Sequence, residues 1–541
     1  MKASELFVNC LEAEGTKYVF GIPGEETIEV LNALSVSNIE FILTRDERWA
    51  AFMANAYGRL SGSPGICLST LGPGATNLLT GVADALLDFA PMIAVTGQVG
   101  TSKIHKETHQ YIDILSLYKP ATKWNARIED PDTVPEIVRK AFKVACAEKP
   151  GPVHIEFPED AAAVSVEGKA IPHVSAGYPE PSNDMISKAV SLMKSASMPI
   201  ILAGNGVIRA KATCQLRDFV SRTRIGVATT FMGMGAFPAD DEYFVSTIGL
   251  QSRDFVSCGF DRADLVIAVG YDPVEFSPRY WNADGNRTII HINVTPSETD
   301  SHYPAIEIIG NIGTSLSMIT ERVDFEKDPA YFLKLKGYAD GALNLPEEGF
   351  PLKPFRIIRD IRKALGRDDI LISDVGAHKI WIARFYPAYA ENTVIISNGF
   401  ASMGFAIPAA IAAKLLHPEK KIIAAVGDGG FLMSASELNT ALRLGLNFVC
   451  LIFNDGGYGL IEWKERQRYK KDFHVKFSNP DFVKLAESFG AKGYRVSAAD
   501  DLLPILRDAL AQDLPAVIDC PVDYRENLSL TEKFGRIICP L

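Results

Sequence analysis

Short apolar runs recur along this chain, each too short for a helix and each followed by a longer amphipathic or polar stretch. In the first third they are Tyr18 to Phe20, Glu40 to Leu43, Gly65 to Ser69, Met92 to Val95 and Val153 to Phe157. The segments "MPIILAGNGVI", "ADLVIAVGYDP" and "RTIIHINV" repeat the pattern in the middle. Ile422 to Val426 and Phe448 to Phe453 repeat it near the end, with helical spacing from Leu432 to Leu444 between them. Continuous apolar runs of this length predict strands buried on both faces, and their alternation with helices predicts parallel sheets. Two stretches have no period: "GKAIPHVSAGYPEPSND" and "DFEKDPAYFLKLKGYADGALNLPEEGFPLKP", which read as connections. The chain thus divides into blocks 1–165, 185–325 and 354–541. The predicted fold class is α/β, with three doubly wound parallel-sheet domains. A length of 541 residues, too great for one ordinary core, agrees with that division.

Composition narrows the function. Hydrophobic residues make up 47% and charged residues 22%, ordinary for a globular chain, and the net charge of −11 argues against a nucleic-acid partner. Only "KERQRYKK", Lys464 to Lys471, runs the other way, and it reads as a solvated helix face. The eight cysteines are scattered with no CxxC, and those in apolar runs read as core thiols. No HExxH, Walker A or GxSxG pattern occurs. "MKASELFVNCLEAEG" reads as an amphipathic helix rather than a signal peptide. The most apolar stretch, Phe405 to Leu416, contains Pro408 and Lys414 and is too short to span a bilayer. A cytoplasmic protein without a membrane partner is expected.

The strongest chemical signal is Gly427-Asp428-Gly429 at the end of one predicted strand and Asn454-Asp455 at the end of the next. A right-handed crossover puts both ends on one sheet edge, where open α/β folds bind ligands. Two carboxylates beside a glycine turn with exposed N–H groups suit Mg²⁺ and a diphosphate. A glycine-flanked Asp alone would equally be a structural turn. Gly204-Asn205-Gly206 begins like a dinucleotide fingerprint, but Arg209 stands where the third glycine belongs, which argues against a Rossmann-type dehydrogenase.

These motifs resemble the thiamine-diphosphate enzyme family, in which GDG is followed by a paired Asn. Here Asp455 replaces the second Asn and keeps an oxygen ligand. The resemblance covers nearly the whole chain and implies a pyrimidine-binding, a central and a diphosphate-binding domain, in that order. It implies thiamine diphosphate and Mg²⁺ as cofactors, with Asp428, Asp455 and Gly457 as metal ligands. Gly427, Gly429, Gly430 and Tyr458 would border the cofactor. Glu47, in "RDERWAAFMA", resembles the family's catalytic Glu, which hydrogen-bonds the aminopyrimidine and favours the tautomer that takes the C2 proton. Position 46 is Asp where His is usual. As a bare sequence feature, Glu47 is also a helix-first-turn acid favoured by the dipole. "STLGPGATNLLTG" with Gly72 and Gly74, and "GIPGEE" with Gly24, resemble the loops beside that acid. "SNGFASMG" resembles the segment that places Gly399 and a large apolar side chain, Met403, beneath the bent cofactor. "SDVGAHKIWIARFY" puts Gly376 and His378 at the diphosphate side.

Within the family, "GYDPVEFSPRYWN", "AESFGAKGYRV" and "PVDYREN" resemble acetolactate synthases of the flavin-independent, catabolic type. "THQYIDILSLYKPATKW" resembles their segment that brings His109, Gln110 and Lys123 to the site. The chain departs from that group at "ADALLDFAPMIAVTGQV" and at Trp49. The implied reaction decarboxylates pyruvate and joins the two-carbon fragment to a second 2-oxo acid, giving 2-acetolactate, in a homodimer or homotetramer. A 2-oxo acid decarboxylase, another carboligase, or a non-catalytic thiamine-binding homologue stays open.

Overall fold

A computed structural model describes residues 1–174, 177–249, 255–282, 285–298, 303–341 and 349–527. The apolar runs form three six-stranded sheets among these residues. The first contains β1 (Tyr18–Gly21), β2 (Glu40–Leu43), β3 (Gly65–Ser69), β4 (Met92–Gln98), β5 (Trp124–Arg127) and β6 (Pro152–Pro158). The second contains β7 (Pro199–Ala203), β8 (Gly226–Thr229), β9 (Phe244–Thr247), β10 (Leu265–Val269), β11 (Thr288–Asn293) and β12 (Ile306–Ile309). The third contains β13 (Ile370–Ser373), β14 (Val394–Ile396), β15 (Ile422–Gly427), β16 (Val449–Asn454), β17 (Lys492–Arg495) and β18 (Ala516–Pro521). Every pairing within them is parallel.

The first and third sheets share one topology, β2-β1-β3-β4-β6-β5 and β14-β13-β15-β16-β18-β17. In each, the order reverses between the first and third strands, and a crevice opens beyond their C-terminal ends. The second sheet, β12-β11-β10-β7-β8-β9, reverses between β7 and β10. There the loops after the two strands pack closely: a Cβ on Gly204 would lie 2.4 Å from Gly270 O. Both carboxylate oxygens of buried Glu275 accept the Asn205 N–H at 3.1 Å, and Thr230 Oγ1 also donates to Glu275. An internal carboxylate thus takes the N–H group that a bound phosphate would use in a dinucleotide fold.

The first and third sheets share a core. The Glu47–Ser61 helix packs on the Ala406–Leu416 helix, with Phe52 and Phe405 edge to face at 5.6 Å. Ala406 to Lys414 are all buried, because the small side chains of "AIPAAIAA" let neighbouring elements approach from every side. The most apolar stretch is therefore an interdomain helix. Among the described residues no helix is long and apolar enough to cross a membrane. Cys10, Cys67, Cys450 and Cys520 are buried thiols, whereas Cys146 and Cys214 are exposed; the Cys258 side chain and Cys539 lie outside the description. The helix expected over Leu432 to Leu444 is two helices, Asp428–Ser434 and Glu437–Arg443. At the break, the buried Glu437 carboxylate turns to accept the Arg45 N–H of the first block at 2.7 Å.

Candidate active site

In the third sheet the crevice lies between the loops after β13 and β15. It is a cavity of about 110 Å³ whose walls include Gly376, His378, Met403, Asp428, Asp455 and Tyr458. Gly427, Gly429, Gly430 and Gly457 complete the set of expected residues found there. Asp428 is the first residue of its helix and only 1% exposed. Its Oδ1 accepts the Gly429 N–H, and its Oδ2 accepts the Gly456 N–H and Asn479 Nδ2, all at 2.8 Å. These bonds fix the carboxylate but leave an Oδ1 lone pair for a cation. Asp455 is pushed up to about 7 by burial and then by the Asp428 charge, with Lys476 opposing. A buried and a half-buried acid in one cleft are costly unless a cation joins them. Among the described residues no group of three or more His, Cys, Asp or Glu gathers, so ligand and backbone oxygens would have to complete the shell of a hard cation.

Two more features fit a diphosphate. His378 is buried against Phe453, with ring centroids 5.3 Å apart, and burial drives its pKa down to about 3. The ring stays neutral, and its Nε2 has no hydrogen-bond partner among the described residues. Gly429 must be glycine, because a Cβ there would lie 2.8 Å from the Tyr458 ring. The residues present thus fit thiamine diphosphate with Mg²⁺.

The first sheet supplies a second cluster. Glu47 opens the helix after β2 and is half-buried, with Oε2 accepting Asn77 Nδ2 at 3.0 Å. Asp46, where His was expected, is the helix N-cap: it accepts the Arg48 N–H at 2.9 Å and is ion-paired to the Arg48 guanidinium. Gly24 and Thr70 meet where the loops after β1 and β3 converge; a Cβ on Gly24 would lie 2.2 Å from Thr70 Cβ. A Cβ on Gly74 would stand 3.3 Å from Glu47 Oε1. Gly72 has φ +52° and packs on the Gln110 carbonyl, and the Gln110 and His109 side chains are exposed. Glu47, Gly24, Gly72, Gly74 and Gln110 therefore share one crevice. No described residue of the first sheet's segment lines the third-sheet cavity.

Two expected residues lie elsewhere. Lys123 donates its N–H to Pro152 O at the start of β6, the edge opposite the crevice. Its Nζ caps the end of the Val134–Cys146 helix through Val144 O at 2.6 Å and Ala147 O at 2.5 Å. A cation on free helix carbonyls is a structural tie. Gly399 does not border the cavity; its N–H donates to Asp88 at 2.6 Å, and a Cβ would come within 2.5 Å of Leu87 O. Conversely, no motif pointed to Asn479, which bridges Asp428 and Asn454 Oδ1. Nor did it single out Asp374, whose buried carboxyl, pushed up to about 7, accepts the Val375 and Gly404 N–H groups.

Comparison with known proteins agrees with this arrangement. The thiamine pyrophosphate enzyme N-terminal TPP binding domain matches residues 1–117, the central domain residues 186–319, and the C-terminal TPP binding domain residues 374–520. An acetolactate synthase of Bacillus subtilis (strain 168) is 36% identical, covering 99% of this chain and 97% of its own. A catabolic acetolactate synthase of Raoultella terrigena is 35% identical, over 97% and 95%. A probable acetolactate synthase large subunit of Methanocaldococcus jannaschii is 35% identical, over 99% and 94%. With all three domains matched and a glycine–aspartate cleft beside the third sheet's switch point, the chain belongs to the thiamine pyrophosphate enzyme family and groups there with acetolactate synthases.

Proposed function

We propose that this chain is an acetolactate synthase, decarboxylating pyruvate and joining the two-carbon fragment to a second 2-oxo acid to give 2-acetolactate. The observation that carries this is the full-length similarity to acetolactate synthases in a chain that keeps Glu47, Asp428 and Asp455. Thiamine diphosphate supplies the electron sink for decarboxylation when bound. Asp428 and Asp455, with the Gly457 carbonyl, would hold Mg²⁺ and the diphosphate, with His378 lining the same cleft. Met403 lines the cleft and would stand as an apolar ridge against the bound cofactor. Glu47 holds and returns the proton at the aminopyrimidine N1′, with Gln110, on the rim beside Gly72, over the substrate. The Asn205 N–H, already taken by Glu275, supports an enzyme that needs no flavin.

Since the Glu47 crevice and the Asp428 cleft form no common cavity within one chain, the site is assembled between two chains. The apolar rim near the cleft supports this: Leu432, Met433, Tyr458 and Ile461 are 41%, 42%, 38% and 51% exposed. A second chain covering them would keep water from a carbanion that water would protonate. The direct test is to incubate the protein with pyruvate, thiamine diphosphate and Mg²⁺, without flavin, and quantify both possible products. Acetolactate should dominate. Acetaldehyde as the main product would make the protein a decarboxylase, and bound cofactor without turnover a non-catalytic homologue.

A further inference from the structure

Met403 can act as a ridge only if its loop is rigid, and that loop is held from outside its own domain. Residues 397–405 join β14 to the Ala406–Leu416 helix. They are tied to the end of the Pro73–Leu87 helix in the first block. The Asn398 and Gly399 N–H groups donate to the Asp88 carboxylate, at 3.1 and 2.6 Å. Ser397 Oγ donates to Asp84 at 2.7 Å and in turn accepts the Ser402 N–H at 3.1 Å. Lys379 Nζ grips Ser397 O at 2.9 Å. Beyond Met403, Asp374 takes the Gly404 N–H at 2.9 Å, and the Trp49 ring covers Gly404 so closely that a Cβ there would lie 2.7 Å away.

Asp84 and Asp88 are 0% and 1% exposed and sit one helical turn apart. Two buried carboxyls at that spacing oppose each other's ionisation, and an apolar pair would serve the core better. What they supply instead is direction: three oxygens, Asp84 Oδ1 and both of Asp88, accept from one loop, while Asn55 holds Asp84 Oδ2 and Arg59 donates to Asp88 from behind. We propose that Asp84 and Asp88 are positioning residues that set where Met403 stands in the cleft, and so how closely the cofactor is bent. This rests on the thiamine-diphosphate reading of the cleft and assigns a reaction role to residues that touch neither cofactor nor substrate.

The test uses Asp88→Asn, which keeps the shape but turns an NH₂ toward donors, and Ser397→Ala, which removes one hydroxyl and keeps the test open if the first variant does not fold. Two readouts report position directly. Amide hydrogen exchange of the peptide over 397–405, measured without cofactor, should speed up in both variants. The C2 hydrogen–deuterium exchange of bound thiamine diphosphate should slow by about 10–100-fold, the cost of a displacement of about 1 Å. Calorimetric affinity for thiamine diphosphate with Mg²⁺ should change by less than about threefold, since the Asp428 and Asp455 end is untouched. Unchanged loop exchange with unchanged C2 exchange overturns the proposal, as does a loss of affinity that parallels the C2 effect. Glu47→Gln is the parallel arm: it should slow C2 exchange without loosening the loop. If Glu47→Gln leaves C2 exchange intact, the cofactor reading has failed; if it slows exchange and the loop variants do not, only the positioning role has.

Discussion

Glu47→Gln should fold, bind thiamine diphosphate and lose about 10²–10⁴-fold in turnover, the range for removing a positioned acid–base. The amide keeps the size of the side chain and can still bond Asn77, which now donates to Glu47 at 3.0 Å. It cannot hold or release a proton at N1′. Because Asp46 caps the helix and Glu47 does not, the substitution leaves the helix start intact, and thermal stability should stay close to wild type. Turnover near wild type in a saturating-pyruvate assay would remove Glu47 from the chemistry.

The second large effect is on binding. Asp428→Ala deletes a carboxylate that accepts from Gly429, Gly456 and Asn479, so the variant loses the proposed metal ligand and the anchor of the loop after β16. Affinity for thiamine diphosphate in the presence of Mg²⁺ should fall by more than about 100-fold, since even residues behind the ligands are worth 10–100-fold. Asp455→Ala should weaken Mg²⁺ and cofactor together as well, but with less damage to the loop, because its carboxylate is not the acceptor for those N–H groups. Isothermal titration with unchanged affinity in both variants would mean that the metal is held elsewhere.

The parts of the fold and site that were legible in the sequence are those set by local pattern. The runs at Ile422 and Phe448 could only be strands buried on both faces, and once they were parallel, Asp428 and Asp455 had to share an edge. Glu47 was visible through the resemblance of "RDERWAAFMA" to the family's catalytic segment, since its place at a helix start alone suits a first-turn acid equally well. The rest depends on partners far along the chain. Asp84 meets Ser397 across 313 positions, and Asn479 reaches Asp428 across 51. No spacing rule covers such pairs. Lys123 misleads for a related reason: a lysine at the start of a strand looks the same whether it faces a substrate or caps a neighbouring helix. Gly399 is required by close packing on Leu87, which leaves the same trace in a sequence as contact with a cofactor. The 3-residue strand β14 and the edge strand β17 carry too little apolar pattern to announce themselves.

A site shared between chains is tested most directly by complementation. Inactive Glu47→Gln chains are mixed with inactive Asp428→Ala chains under conditions that exchange subunits, and acetolactate formation is followed. In a mixed dimer one site carries both lesions and the other carries neither. Activity should return, up to about half that of a wild-type dimer for each mixed dimer, because only one of its two sites is whole. Verified exchange with no return of activity would contradict the arrangement and put Glu47 and Asp428 of each site on the same chain.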